Sequence, residues 1–232
     1  GRKAMLAERL IAEEKMDDPS LDAAAYTQVL HDLAQVNRIT MAYRPTLDFL
    51  ARAIAGRHRF RLLDVGFGDG DMLRQIARWA AQRGNDADLT GIDLNANSIA
   101  AAQAATTKTM TISYRAGDYA DLAGGGFDFV ISSLVAHHMT REQLVRFLSF
   151  MEREARLGWY INDLHRHGFA YRGFPLLARI MGWHPIVRED GQTSIARSYR
   201  PREWPPLLDE AGIGGAQVRR VFPFRLCVER IR

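Results

Sequence analysis

The stretch "LLDVGFGDGDML", from Leu62 to Leu73, decides the fold. A short apolar run ends in glycine, further glycines follow at alternate positions, and a helical pattern begins directly afterwards. Such a loop between a strand and a helix is typical of a nucleotide site, because backbone N–H groups at the helix N-terminus face the ligand. The same dozen residues carry the carboxylates of Asp64, Asp69 and Asp71, which would repel a pyrophosphate. We therefore expect a nucleoside ligand that carries positive charge.

Strand-like and helical segments alternate after this loop. The runs "FRLLDVG", "ADLTGIDL", "TISYRAGD", "FDFVISSLV" and "GWYINDL" predict strands, and helical patterns lie between them. Such alternation predicts a Rossmann-like, doubly wound α/β fold with a mostly parallel sheet covered on both faces. The last two runs, "AQVRRVF" and "FRLCVERI", are too close together for a helical crossover and predict an antiparallel C-terminal hairpin at a sheet edge.

The chain of 232 residues predicts one α/β domain over residues 57–232, preceded by a helical extension over residues 1–56. We expect the main helix of the extension to begin with Asp18 as N-cap and Pro19 at the first helical position. Residues 168–200 read as a less regular insertion, rich in aromatics and glycine, over the mouth of the site.

Composition narrows the class of protein. A single cysteine, Cys227, excludes a disulfide framework, a multi-cysteine zinc site and an iron–sulfur cluster. The net charge of +4 comes without a basic stripe interleaved with aromatics, so no nucleic-acid partner is expected. No apolar run is long enough to cross a bilayer and the N-terminus lacks a signal-peptide pattern, which predicts a cytoplasmic protein. Because Gly1 is not an initiator methionine, we expect a trimmed or tagged N-terminus. The oligomeric state stays open between a monomer and a homodimer.

The pattern D-x-G-x-G-x-G after a strand resembles the first motif of the class I S-adenosylmethionine-dependent methyltransferases. S-adenosylmethionine carries a sulfonium and an ammonium group beside one carboxylate, which resolves the conflict of charges in the loop. The helix N-terminus can face the carboxylate of the cofactor while Asp64 faces its cationic end.

Three further motifs follow in the order of this family. The resemblance implies that Asp93, ending "GIDL", binds the ribose hydroxyls, and that Asp118 and Tyr119 in "AGDYADL" receive the adenine. In "FDFVISSLVAHHM" it implies that Ser133 and Leu134 lie near the methionine part. The resemblance covers about residues 60–165 and the terminal hairpin, and it implies a seven-stranded sheet. The expected cofactor-binding residues are Asp64, Gly66, Phe67, Gly68, Gly70, Asp93, Leu94, Asp118, Tyr119, Ser133 and Leu134.

The acceptor class is indicated by the flanking segments. The N-terminal helices and "LVAHHM" look like the small-molecule branch related to ubiquinone and menaquinone biosynthesis. "INDLHRHGFAY" and "DGQTSIARSYRPREWPPLLDEAG" resemble a bacterial subgroup found beside polyketide synthases of the chalcone-synthase type. The resemblance implies methylation of an oxygen, or of an activated carbon, on a phenolic, quinol or polyketide-derived molecule of secondary metabolism. An RNA or protein methyltransferase, and a non-catalytic protein that only binds the cofactor, are the alternatives.

A phenol, with a pKa of about 10, gains from a neighbouring group that takes its proton near neutral pH, and histidine is matched to this task. His137 and His138 follow the fourth strand, and we expect at most one of them to face the acceptor. The alternative is that one caps the helix beginning at Thr140 and the other bonds a backbone carbonyl.

A second catalytic candidate group lies in "NDLHRH" at the end of the fifth strand. Asp163 or His165 could bind or deprotonate an acceptor hydroxyl, or orient a histidine of the fourth strand. Alternatively, Asp163 pairs with Arg166. The spacing of these residues fits no known metal-ligand pattern, so no metal is expected.

Overall fold

A computed structural model describes residues 6–232 and confirms the predicted doubly wound α/β fold. Seven strands form one sheet in the order β3-β2-β1-β4-β5-β7-β6. The first five are parallel, and β7 pairs antiparallel with both β5 and β6. The predicted terminal hairpin is thereby confirmed. The strands are β1 (Arg59–Val65), β2 (Asp86–Asp93), β3 (Ile112–Ala116), β4 (Phe129–Ser133), β5 (Gly158–Leu164), β6 (Gln217–Val221) and β7 (Arg225–Ile231).

Helices cover both faces of the sheet. The alternation of side chains along β1 sends Leu62 into one core and Leu63 into the other. The first core is closed by α2, α3 and α4, and the second by α5 and α8. The helices are α1 (Ala23–Ile39), α2 (Arg44–Ala53), α3 (Asp71–Gln82), α4 (Asn97–Ala105), α5 (Arg141–Glu154), α6 (Gly168–Ile180), α7 (Pro185–Arg197) and α8 (Trp204–Glu210). Among residues 6–232, no helix has the length and apolar character that crossing a membrane requires.

The predicted start of the first long helix is wrong by four residues. The side chain of Asp22, not Asp18, caps α1 by accepting a hydrogen bond from the backbone N–H of Ala25. Asp18 instead accepts hydrogen bonds from the backbone and side chain of Ser20. This local turn uses the Asp18 carboxylate before a helix can begin, which is a known competition at aspartate residues.

Residues 168–200 are more regular than expected, because they contain the whole of α6 and α7. These helices make a small third core with α1, in which Trp183, Val187, Ala178 and Val29 are buried. One of the glycines of this segment, Gly191, lies within α7. It is needed there because a Cβ atom at this position would overlap the ring of Phe174 from α6.

The segment before α1 crosses α7 instead of forming a long helix; residues 6–17 are called the N-terminal segment here. The N–H of Leu10 donates to the carbonyl of Ala196 over 3.0 Å. Both oxygens of the Asp190 carboxylate accept backbone N–H groups, from Lys15 at 2.8 Å and from Met16 at 2.9 Å. The segment is therefore fixed across the end of the sheet where parallel strands bind ligands. Residues 1–5 of the predicted 1–56 extension lie outside the described residues.

Candidate active site

One cavity of about 900 Å³ lies beyond the carboxyl ends of β1, β2 and β4. Its floor is the glycine loop and the ends of these strands, and its roof is formed by the N-terminal segment, α1, α6 and α7. This is the position at which open parallel sheets bind ligands, because the strand order reverses beside β1. Glycine loop, acidic strand ends and histidine pair therefore share a single space.

The glycine loop has the backbone that its sequence demands. Gly66 and Gly70 have φ angles of 77° and 81°, in the left-handed region that favours glycine. A Cβ atom on Gly70 would lie 2.6 Å from the hydroxyl oxygen of Tyr114, and one on Gly66 would overlap Val135. The ring of Phe67 packs on Tyr114 with 4.9 Å between ring centres, which fixes the loop from below. The loop therefore lies too close to Tyr114 and Val135 to accept side chains at positions 66 and 70.

Asp64 is buried at the end of β1 and lines the cavity. Its Oδ1 atom has no hydrogen-bond partner among the described residues. Burial, together with the charge of nearby Asp93, raises the pKa of Asp64 to about 7. A buried carboxylate without a cation is costly, so the site is suited to a ligand that brings positive charge.

Asp93 couples the loop to β2. Its Oδ2 atom accepts the backbone N–H of Gly68 over 3.0 Å, and its Oδ1 atom accepts the N–H of Asn95 over 2.9 Å. Burial raises the pKa of Asp93, although these two hydrogen bonds oppose the shift. The side chain is thus oriented at the cavity wall, where Leu94 is also exposed.

The remaining expected cofactor residues surround the same space and differ in exposure and contacts. Asp118 is exposed and accepts the N–H of Ala120 over 2.8 Å, while the Tyr119 ring packs against Phe147 and Phe150 of α5. Leu134 has a φ of 59°, a strained value for a leucine. Four of these residues line the cavity, namely Asp118, Tyr119, Ser133 and Leu134.

The buried imidazole of His137 lies between two carboxylates. Its Nδ1 lies 2.6 Å from Oδ1 of Asp163, its backbone N–H donates to Oδ2 of Asp163, and its Nε2 lies 3.3 Å from Oε1 of Glu14. Burial alone would lower the pKa of His137, but the two carboxylates outweigh it and raise the pKa to about 9. His137 is therefore an imidazolium at neutral pH. The same pairing holds the pKa of Asp163 below its usual value despite burial.

His138 faces the cavity more openly, with 31% of its side chain exposed. Its Nε2 lies 3.6 Å from Glu14 and its Nδ1 lies 3.5 Å from Asp17. The two histidine rings stand 4.3 Å apart, and both line the cavity. His137 is only 2% exposed, so the expectation that at most one of the two faces an acceptor stays a prediction, with His138 as the accessible one. The cap of α5 is the Thr140 side chain itself.

Glu14 is the residue that sequence reasoning missed. It is buried, and its Oε1 atom also accepts the hydroxyl of Ser194 over 2.5 Å. Burial would raise the pKa of Glu14, but the contacts with His137 and His138 lower it. No motif marks this residue, because its partners follow β4 and lie on α7, far away in the chain.

The other candidates of "NDLHRH" are separated by the fold. The expected pair of Asp163 with Arg166 is wrong, because Arg166 points away and pairs with Glu203 at 2.8 Å. His165 is buried outside the cavity lining. Burial and neighbouring arginines, led by Arg220, lower its pKa to about 4. Asp163 therefore contacts a histidine of the fourth strand, which was the other alternative.

Within residues 6–232, Glu14, His137 and His138 form the one group whose ligand-type atoms lie close enough to hold a metal ion, within 4.8 Å of one another. The same atoms are already engaged in the ion pairs just described, which compensate their charges. The absence of a metal requirement stays a prediction.

Residues 62–158 match the family model described as a methyltransferase domain. No curated protein matches the sequence. Among solved structures, the chain is similar to the plantazolicin methyltransferase BpumL in complex with a triazolic desmethylPZN analog and SAH, with a TM-score of 0.70, 15% identity, and coverage of 99% of this chain and 98% of that one. It is also similar to magnesium protoporphyrin IX methyltransferase from Synechocystis PCC 6803 with bound SAH, with a TM-score of 0.55, 19% identity, and coverage of 93% and 90%.

A third similar structure is human N-acetylserotonin methyltransferase in complex with SAM, with a TM-score of 0.63 and 16% identity. The match covers 91% of this chain and 56% of that one. At these identities the likenesses show the fold, which is the class I methyltransferase fold expected from the motifs.

Proposed function

We propose that this chain, an S-adenosylmethionine-dependent methyltransferase of the class I fold, methylates an oxygen atom of a small aromatic, quinol or polyketide-like molecule. The observation that carries the proposal is the single cavity that joins the glycine loop to His138 beneath the N-terminal segment. A roofed cavity of about 900 Å³ suits a small acceptor, whereas an RNA or protein substrate would need a broad, positively charged face.

The expected cofactor-binding residues are assigned to one half of the cavity, whose lining includes all of them except Gly70. When bound, S-adenosylmethionine supplies an activated methyl group on its sulfonium. Asp64 balances the cationic end of the cofactor, and Asp93 presents oxygens to the ribose hydroxyls. Asp118 and Tyr119 line the part of the cavity assigned to adenine, and Ser133 and Leu134 line the part assigned to the methionine portion.

His138 is the proposed general base. Bound S-adenosylmethionine would supply its methyl group to the acceptor oxygen, with the carbon–sulfur electron pair retained by S-adenosylhomocysteine, and the acceptor would lose its hydroxyl proton. The hydroxyl proton passes to the imidazole of His138, and the resulting positive charge lies beside Glu14 and Asp17. The base then returns the proton to solvent.

His137 and Asp163 are positioning residues in this scheme. Because His137 is already protonated at neutral pH, it cannot accept the hydroxyl proton. It instead fixes Glu14 at 3.3 Å, and Asp163 fixes His137 in turn. His165 has no role, since it does not line the cavity. We place the activity in the cytoplasm, and the homodimer stays an open alternative to the monomer.

The test is transfer of a labelled methyl group from S-adenosylmethionine to an organic extract of the host and, in parallel, to its RNA and protein fractions. We expect label in an extractable small molecule whose new methyl group is an aryl ether. Label confined to RNA or protein, or no transfer despite cofactor binding, would overturn the proposal in favour of one of the two alternatives.

A further inference from the structure

We infer that the outer face of α6 binds the surface of a membrane that contains anionic lipids. Phe169, Leu176 and Ile180 are 76%, 62% and 72% exposed. At 3.6 residues per turn, positions seven and eleven residues after Phe169 lie within about 20° of it around the helix axis. The three side chains therefore form one straight row, here called the outer row of α6, which extends over about 17 Å.

The outer row has no task in the folded core. The opposite side of α6 already packs in the small third core, where Ala178 is buried and Phe174 stacks on Trp183 with 6.2 Å between ring centres. The helix is therefore apolar on two sides, and only one of them is covered. Several large apolar side chains exposed along one face of a helix indicate an interaction surface.

Further exposed aromatic side chains lie beside the outer row of α6, at the mouth of the cavity. The ring of His167 stacks on Phe169 with 5.7 Å between centres and on Phe224 with 5.0 Å between centres. Phe169 and Phe224 both line the cavity and are both exposed. Phe222, which like Phe224 lies in the turn between β6 and β7, is 85% exposed. The apolar surface thus borders the opening through which an acceptor would enter.

The positive charges beside the outer row of α6 indicate which kind of partner surface it binds. Helix α6 contains no acidic residue, and it carries the exposed Arg172 and Arg179 on the flank of the row. None of the ion pairs found among residues 6–232 involves these two arginines or the exposed Arg220 of β6. Unpaired arginines beside large apolar side chains match anionic headgroups above an acyl layer.

A bilayer explains these features better than a protein partner does. The apolar side chains project outward from a convex helix face and from a hairpin tip, so they are suited to penetrate a fluid layer rather than to line a groove. A second copy of the chain is disfavoured, because a twofold contact through α6 would bring the unpaired arginines of both copies onto one small patch. Binding at a surface also agrees with a chain in which no described helix spans a membrane.

The test is co-sedimentation with phosphatidylcholine vesicles that do or do not contain phosphatidylglycerol. We expect the protein to bind the anionic vesicles, and to be released from them by high salt. The combined substitution Phe169→Ser, Leu176→Ser and Ile180→Ser should lower the partition coefficient at least tenfold. Substituting Arg172→Gln and Arg179→Gln should lower it on anionic vesicles only. Binding of S-adenosylhomocysteine by each variant shows that the fold is retained.

Matched controls lie at the opposite end of the sheet. Arg78→Gln with Arg83→Gln, at the far end of α3, removes the same charge, and Ile231→Ser removes an exposed aliphatic side chain from the end of β7. Both should bind vesicles like the unchanged protein. Equal loss in these controls, no vesicle binding at all, or a concentration-dependent dimer that the triple variant abolishes would overturn the inference. The measurement needs no turnover, so its result is independent of the proposed reaction.

Discussion

The Nε2 atom of His137 lies 3.3 Å from the Oε1 atom of Glu14, which joins the N-terminal segment to the end of β4 inside the cavity. The contact is enclosed on its other side by Asp163. One buried imidazolium between two carboxylates therefore connects the roof of the site to its floor. Each removal of a member leaves an uncompensated buried charge, which is a costly change.

The stability that His137 contributes should depend on pH. Its pKa is raised from 6.5 to about 9 in the folded chain, so its contribution is complete below pH 6.5 and is lost as the pH rises through 9. The shift corresponds to about 3 kcal/mol. We expect the destabilisation caused by His137→Gln, measured by urea unfolding, to be larger at pH 6 than at pH 9.5 by an amount of this order. The exposed His58→Gln serves as control, and an equal destabilisation by His137→Gln at both pH values would contradict the assignment.

Cofactor affinity should fall in mild acid because of Asp64. Its pKa of about 7 in the free protein must drop when a sulfonium or ammonium group lies beside it, so binding favours the ionised form. The affinity for S-adenosylmethionine, measured by calorimetry, should be constant above about pH 8 and approach a tenfold loss per pH unit well below 7.

The matched variant is Asp64→Asn, which keeps the shape of the side chain and removes the titration. It should bind the cofactor weakly and without this pH dependence. The variant should also raise the melting temperature of the free protein at pH 8, because the ionised Asp64 has no compensating cation there. A pH dependence that survives in Asp64→Asn would assign the titration to another group.

Substitution of Asp93 should lower the affinity for the cofactor more than it lowers the stability of the fold. Asp93→Ala removes two charge-assisted hydrogen bonds to the ribose, each worth roughly 1.5–3 kcal/mol, so affinity should drop by about two to four orders of magnitude. It also releases the N–H of Gly68 in the loop. The control is Asp88→Ala at the other end of β2, which removes only an exposed ion pair with Arg61. Unchanged affinity in Asp93→Ala would refute the ribose assignment.

Removal of the proposed base should slow the chemical step. With a phenolic acceptor, we expect His138→Ala to lower kcat by about 10²–10⁴ and to leave cofactor affinity nearly unchanged. Activity of the variant should rise with pH as more of the acceptor ionises without help. His58→Ala should behave like the unchanged enzyme.

Treatment with a chelator distinguishes a histidine base from a metal ion bound by the same residues. Dialysis against EDTA should leave the activity intact if an imidazole takes the proton. Loss of activity that a divalent ion restores would instead make Glu14, His137 and His138 metal ligands, and would refute His138 as the base.

The parts that the sequence predicts well are those in which a local pattern has one structural solution. The glycines of the loop need positive φ angles, and the alternating runs around them can only form a covered parallel sheet. The sequence also predicts that Asp64 and Asp93 lie near each other. Both are close to the carboxyl ends of β1 and β2, and in neighbouring parallel strands these ends meet at one edge of the sheet.

The parts that the sequence could not predict depend on contacts between distant segments. In the sequence, Glu14 cannot be distinguished from the other acidic residues around it. Its role depends on contacts with Ser194 of α7 and with His137 after β4, which only the folded chain brings together. Asp163 has Arg166 three residues away, but the end of β5 directs the two side chains apart. The regularity of residues 168–200 was missed in part because a glycine that makes room for a ring, such as Gly191, looks the same in sequence as a glycine in a turn.

The place of β7 in the sheet has a consequence for biosynthesis. This strand is the last described element of the chain, yet it lies between β5 and β6 and buries Leu226, Cys227 and Val228. Until residues 225–231 have emerged from the ribosome, β5 presents an open hydrogen-bonding edge. The nascent chain can assemble its parallel strands early, but that edge of β5 is open to pairing with other chains until this strand is in place.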